Sequence, residues 1–143
     1  MTKMTKKKKK KKTIYLCGPI EGCTDKECMA WREEVIKKLG KKYNFLNPMV
    51  RDYRNIGNVA FFADSVVEAD IKDIDASDII LALANNSSVG TSMEIFYAYS
   101  KKKYVIIACN KKRPSPWLLY HSDVFFDHLE DAIELLDKGG KNL

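Results

Sequence analysis

Several features that would define other classes of protein are missing from this sequence. No run approaches the roughly 18 apolar residues of a membrane span, so contact with a membrane is not expected. The lysine-rich start is not followed by an apolar stretch with a cleavage site, which argues against secretion and favours a cytoplasmic protein. The four cysteines form neither the CxxC pairs of a zinc site nor a disulfide scaffold. We therefore expect free thiols and no bound metal.

The positive charge is concentrated at one end of the chain. The formal net charge is +6, but eight lysines lie within the first twelve residues, and removing their charges leaves −2. Because like charges repel, we expect residues 1–12 to form a disordered tail and residues 13–143 to form one folded domain. A mildly acidic body argues against a nucleic-acid-binding face. Weak contact of the tail with nucleic acid or an anionic surface stays an alternative.

Short apolar runs alternate with amphipathic stretches in the rest of the chain. Strands are predicted at 13–17, 43–47, 79–83, 104–109 and around 124–126. Apolar residues at helical spacing predict helices between Thr24 and Gly40 and over 61–76, 91–101 and 129–138. This alternation predicts an α/β fold, a doubly wound parallel sheet of about five strands with helices on both faces.

Four polar or Gly/Pro-rich segments follow the predicted strands. Because ligands of such sheets bind beyond the carboxyl ends of the strands, we expect a site where these segments meet. They are residues 18–22, 48–54, 85–94 and 110–117.

Glu94, at the end of the third segment, allows two interpretations. Placed in the first turn of a helix, its carboxylate would be kept ionised by the helix dipole and could attack an electrophilic sugar carbon. However, Thr91 and Glu94 also match a capping box, in which Glu94 would only bind the Thr91 backbone amide. Spacing alone leaves both interpretations open. It also leaves open that Asp70 and Asp78 are ordinary solvent-facing acids and that Tyr15 is a core aromatic residue.

Sequence motifs spread over most of the body add to this pattern. They are Ile14–Ile20, then Asp70 with Ile74 and Asp78, then Val89–Ile95 with Tyr97 and Ala98, and finally Lys103 with Val105 and Ile106. In their order and spacing they resemble the nucleoside 2-deoxyribosyltransferase family, whose relatives include deoxynucleoside 5'-monophosphate N-glycosidases.

The resemblance implies a flavodoxin-like fold and a catalytic role for three side chains. Glu94 would attack C1' of a deoxyribose, Tyr15 would orient Glu94 by a hydrogen bond, and Asp70 would help hold the substrate and manage the proton of the leaving base. Such chemistry requires neither a metal nor a cofactor, because an anionic carboxylate both stabilises and captures the cationic sugar. The implied substrate contacts are Gly18, Pro19, Asn47, Ser88, Gly90, Ser92 and Ser115.

The sequence gives conflicting indications of whether the substrate carries a 5'-phosphate. Ser88 stands where the best-known transferases carry an aspartate and the monophosphate hydrolases a serine. Ser115 falls near the position at which those hydrolases supply a phosphate-contacting serine from a neighbouring subunit. Glu21, however, stands where the hydrolases carry a phosphate-binding arginine, and its negative charge would repel a phosphate. Arg51, Arg54 or the basic residues 111–113 would then have to supply the positive charge.

Three functions therefore stay open from the sequence. The first is transfer of a deoxyribosyl group from a nucleoside to a free base, and the second is hydrolysis of a nucleoside or its 5'-monophosphate. The third is a non-catalytic nucleotide-binding module, because a fold does not determine a function. The resemblance also implies a homodimer or larger homo-oligomer in which residues 114–117 complete a neighbour's pocket.

Overall fold

One parallel sheet forms the centre of the molecule. In the computed structural model, residues 10–139 are described. The strands are β1 (Thr13–Cys17), β2 (Asn44–Leu46), β3 (Ile79–Leu83), β4 (Tyr104–Ala108) and β5 (Val124–Phe126). All neighbours pair in parallel, in the order β2-β1-β3-β4-β5. The predicted flavodoxin-like α/β fold is thus confirmed.

Helices connect the strands across both faces of the sheet. They are α1 (Trp31–Leu39), α2 (Ala63–Asp75), α3 (Val89–Ser100), α4 (Pro116–Tyr120) and α5 (Leu129–Gly139). A π-helical turn, Lys26–Ala30, leads into α1, and 3-10 turns occupy Pro48–Arg51 and Val59–Phe61. Among residues 10–139, no helix has the length and apolarity needed to cross a membrane.

The first helical segment begins with the predicted capping box. The Thr24 amide donates to Glu27 Oε1 at 3.1 Å, and the Glu27 amide donates to Thr24 Oγ1 at 3.2 Å. These bonds satisfy two amides that the first turn would otherwise leave unpaired. The segment continues through α1 and ends before Gly40, as predicted.

The start of α3 corrects the sequence interpretation of Glu94. The helix begins at Val89 rather than Thr91, because Ser88 is the N-cap and its Oγ accepts from the Thr91 amide at 3.2 Å. The Thr91 amide is therefore already bound, and the capping-box role of Glu94 is wrong. Glu94 lies in the second turn, so the expected placement beside the positive end of the helix dipole is wrong as well.

Alternation along the strands divides the core between two layers. Ile14 and Leu16 of β1 pack with α1 and α5 on one face, whereas Tyr15 and Cys17 pack on the face covered by α2 and α3. Because α3 carries Glu94, this alternation turns Tyr15 and Cys17 towards the helix of the predicted nucleophile.

Asp78 belongs to the framework of the sheet. Its Oδ2 accepts from the Thr13 amide at 2.9 Å, and its own amide donates to the Thr13 carbonyl at 2.9 Å. These bonds hold the beginnings of β1 and β3 together at the edge of the sheet opposite the predicted site. Part of the predicted tail is also paired, since the Lys12 carbonyl accepts from the Asn44 amide, while residues 1–9 lie outside the described residues.

Candidate active site

A cavity of about 740 Å³ opens at the carboxyl end of β3, between α2 and α3. Its walls come from both helices and from the loops that follow β2, β3 and β4. The residues used in the arguments below are Tyr53, Asp70, Ser87, Ser88, Gly90, Ser92, Glu94, Phe96, Lys111, Ser115, Trp117 and His121. The site lies where the sheet topology predicts it, beside the point at which strand order reverses.

Two carboxyl groups line this cavity. Glu94 extends from α3 and Asp70 from α2, and both are only partly accessible to solvent. Burial raises the pKa of Glu94 to about 7, and the negative charge of Asp70 adds to the rise. Interactions with the Tyr15 hydroxyl, the Cys17 thiol and the positive charge of Arg32 oppose it. Glu94 therefore titrates near neutral pH, in the range suited to a group that must be anionic to react.

Tyr15 and Cys17 form a buried wall behind Glu94. Both side chains are fully buried, and the Cys17 thiol donates to the Thr91 carbonyl of α3 at 3.8 Å. Among residues 10–139, no acceptor meets hydrogen-bond geometry with the Tyr15 hydroxyl. Burial and the nearby Glu94 charge raise the pKa of both groups, so they stay protonated. The Tyr15 hydroxyl can therefore serve as a donor to a carboxylate, and neither group is a competing anion.

Arg51 fixes the second carboxylate. Its Nη2 donates to Asp70 Oδ1 at 2.9 Å and to Asp73 Oδ2 at 2.7 Å, and the Asp70 side chain is 15% exposed. Burial raises the pKa of Asp70, while the hydrogen bond and charge of Arg51 act in the opposite direction. Asp70 is thereby held in one orientation on the cavity wall.

Two of the basic residues proposed to meet a phosphate are engaged elsewhere. Arg51 is bound as described, and Arg54 pairs with Asp25 at 2.7 Å and with Asp52 at 2.8 Å. Lys111 is exposed at the cavity rim, where its Nζ donates to Ser87 Oγ at 3.0 Å. Within residues 10–139, Lys111 is the only lysine or arginine on the cavity wall.

The remaining predicted site residues divide into two groups. Ser88, Gly90, Ser92 and Ser115 line the cavity with Asp70 and Glu94, whereas Gly18, Pro19, Asn47 and Tyr15 do not. Asn47 caps the turn after β2, accepting from the Met49 amide at 3.0 Å.

An aromatic group on the cavity wall was not foreseen from the sequence. His121 is 9% exposed, its Nδ1 lies 2.7 Å from the Trp117 carbonyl, and its ring stacks on Trp117 at 5.8 Å between centroids. Phe96 of α3 and Tyr53 also line the cavity. This apolar, π-rich part of the cavity wall is chemically suited to a planar heterocycle. The sequence signal for this group was His121, one of only two histidines, which lies four residues after Trp117.

Replacing Glu94 by glutamine is expected to stabilise the protein at higher pH. A carboxyl with a folded-state pKa of about 7 and an ordinary value of 4.5 binds more protons when folded, so its stability contribution falls as pH rises through this interval. Between about pH 4 and pH 8, the difference in unfolding free energy between Glu94→Gln and wild type should widen by up to about 3 kcal/mol. Urea unfolding measures it, with the exposed Glu130→Gln as control; a difference independent of pH would contradict the raised pKa.

Comparison with known proteins identifies the family of this fold and site. Residues 14–136 match the family described as Nucleoside 2-deoxyribosyltransferase. A search of curated proteins found no match. Many solved structures share the fold, among them the following three.

The first is the 2-deoxyribosyltransferase of the psychrotolerant bacterium Bacillus psychrosaccharolyticus, with 19% identity and a TM-score of 0.68, covering 85% of this chain and 90% of that chain. A conserved protein from Enterococcus faecalis V583 has 15% identity and a TM-score of 0.69, with 90% and 98% covered. The Clostridium botulinum CMP N-glycosidase BcmB has 19% identity and a TM-score of 0.60, with 88% and 99% covered. Since the family match extends over most of the chain, this protein belongs to the nucleoside 2-deoxyribosyltransferase family.

Proposed function

We propose that this protein cleaves the N-glycosidic bond of a 2'-deoxynucleoside through a covalent deoxyribosyl–Glu94 intermediate and transfers the sugar to another base. The observation that carries the proposal is that Glu94 and Asp70 line one cavity close enough to interact, with the buried Tyr15 hydroxyl next to Glu94. The family match and the likeness to the Bacillus 2-deoxyribosyltransferase support the same chemistry.

In the first step, the ionised Glu94 carboxylate attacks C1' while the bond from C1' to the base breaks. The departing base takes the electron pair, and positive charge develops on the sugar. A carboxylate close to C1' stabilises that charge and then captures the sugar as an ester. The Tyr15 hydroxyl, which stays protonated, would orient the carboxylate by donating to one oxygen while the other reacts.

Asp70 would hold the substrate and take part in moving the proton of the leaving base. A base that leaves without a proton carries a full negative charge and leaves poorly. Burial raises the pKa of Asp70, which favours this role, and Arg51 keeps the carboxyl in place. The aromatic wall of Tyr53, Phe96 and Trp117 would stack against the base.

The fate of the covalent sugar decides the overall reaction. Attack by a second base returns a new nucleoside, whereas attack by water releases deoxyribose. Exposed apolar side chains near the cavity, among them Met93, Phe96, Trp117 and Tyr120, are suited to a protein–protein contact. A homodimer or larger homo-oligomer, in which a neighbour narrows the cavity and limits entry of water, stays a prediction.

Hydrolysis of a (deoxy)nucleoside 5'-monophosphate is the second candidate, and Lys111 is the observation that favours it. Its ammonium group lies at the cavity rim, bound to Ser87 and to no carboxylate among residues 10–139. Ser88 and Ser115 line the same cavity. Hydroxyls and an ammonium group together can bind a phosphate. The CMP N-glycosidase with the same fold supports this candidate.

The proposed reaction is tested by incubating the protein with each 2'-deoxynucleoside, with and without a free acceptor base. We expect base exchange in the presence of acceptor, and a loss of at least about 10³-fold in Glu94→Gln, because the nucleophile is removed. Chromatography of bases and nucleosides measures both. Glu130→Gln, the same change at an exposed position of α5, should keep full activity. Cleavage that survives in Glu94→Gln would refute the proposed nucleophile.

The second candidate predicts a selective effect at Lys111. In Lys111→Gln, KM for the 5'-monophosphate should rise roughly 10-fold, because one charge-assisted hydrogen bond is lost, while KM for the nucleoside should not change. Steady-state kinetics on both substrates measure the difference, and Lys112→Gln provides a neighbouring control. An equal change for both substrates, or none for either, would remove the phosphate-binding role of Lys111.

A further inference from the structure

Arg32 is a fully buried arginine that no part of the proposed chemistry uses. It has 0% exposure although it lies in the first turn of α1. None of the ion pairs among residues 10–139 includes it. Removing a guanidinium from water without a paired carboxylate costs several kcal/mol, so its burial calls for a physical reason.

The guanidinium of Arg32 binds the main chain at the carboxyl end of β1. Its Nε donates to the Leu16 carbonyl at 3.2 Å, its Nη2 donates to the Gly18 carbonyl at 2.9 Å, and its Nη1 donates to the Cys28 carbonyl. Three carbonyl groups from two segments are thereby held by one side chain. A planar fork of donors achieves this, and a lysine ammonium group would not reproduce the geometry.

The surrounding residues leave space for this arrangement. Arg32 lies over the Trp31 ring at 4.7 Å from its centroid. A Cβ atom at Gly18 would lie 2.8 Å from Trp31 Cζ2 and 3.3 Å from Arg32 Nη2. Only glycine therefore leaves room for both side chains against the strand end.

The carbonyls bound by Arg32 flank the residues that contact the site. Cys17 lies between Leu16 and Gly18, and its thiol donates to the Thr91 carbonyl of α3. Tyr15 precedes Leu16 on the same face as Cys17. A side chain that fixes the main chain at 16 and 18 thus fixes the direction in which Tyr15 and Cys17 meet Glu94.

We propose that Arg32 is a positioning residue that holds the end of β1 against α3 and thereby sets how Tyr15 and Cys17 meet Glu94. The proposal rests on the proposed function only for its kinetic consequences. The charged and titratable groups that influence Glu94 are Tyr15 and Cys17 from β1, Asp70 from α2 and, most weakly, Arg32 from α1. Arg32 is the cation of this set, and its charge opposes the rise in the pKa of Glu94 that burial and Asp70 cause.

Direct titration of Glu94 in Arg32→Met tests the proposal. Carbon-13 NMR of the glutamate side-chain carboxyls, assigned by comparison with Glu94→Gln, follows the titration without requiring turnover. We expect the midpoint to rise by about one pH unit, since the Tyr15 and Cys17 groups that favour the Glu94 anion are no longer held in place. Arg54→Met, which removes an arginine already paired with aspartates, should leave the midpoint unchanged. A folded Arg32→Met protein with an unchanged midpoint would overturn the proposal.

Arg32→Lys separates the fork of donors from the charge and also serves if Arg32→Met does not fold. It keeps the charge but not the fork, so the Glu94 midpoint should rise as it does in Arg32→Met, and kcat should fall roughly 10-fold at constant KM. An unchanged midpoint or an unchanged kcat in folded Arg32→Lys would overturn the positioning role. If wild type showed no glycosidic cleavage with any nucleoside, the proposed function would fail, while the titration would still decide the influence of Arg32 on Glu94.

Discussion

The candidate active site depends on a partly buried carboxyl group that can still ionise. Glu94 is withdrawn from water on α3, and burial raises its pKa to about 7. The free energy that opposes its ionisation is partly offset by the groups around it rather than by the helix terminus, because Glu94 lies beyond the first turn of α3. Its surroundings are therefore a set of donors and one distant cation, arranged so that the anion forms but remains reactive.

Strand β1 provides most of this environment, because its residues alternate between the two faces of the sheet. Ile14 and Leu16 anchor the strand in the layer of α1 and α5, while Tyr15 and Cys17 face α3. Arg32 connects the core packing of β1 with the candidate site, since it extends from α1 to the carbonyls at the end of β1. Packing on one face of the sheet thus determines the geometry of the site on the other face.

The sequence predicted correctly those strands and helices in which apolar residues recur at a regular period. Alternating apolar strands and helices predicted the parallel sheet, and Thr24 with Glu27 marked a real capping box. The start of α3 was misplaced because Ser88 and Thr91 are both good N-cap residues, and only the observed hydrogen bond selects Ser88.

Tertiary features were less visible in the sequence. The five-residue helix α4 is too short to show a period. Arg32 was overlooked although it lies among Cys28, Trp31, Val35 and Leu39 on the buried side of the helical segment, because a charged residue in a helix is usually assigned to solvent. The catalytic roles of Tyr15, Asp70 and Glu94 rest on the family resemblance, to which the structure adds their proximity.

The central claim is that Glu94 forms a covalent bond to the sugar, and mass spectrometry tests it most directly. A 2'-deoxynucleoside analogue with fluorine at C2' destabilises positive charge on the sugar, so it slows breakdown of the intermediate and allows it to accumulate. After acid quenching, the account predicts a mass increase equal to one fluorodeoxyribosyl group on the peptide that contains Glu94. Release of the base without any adduct, or an adduct on another residue, would contradict it.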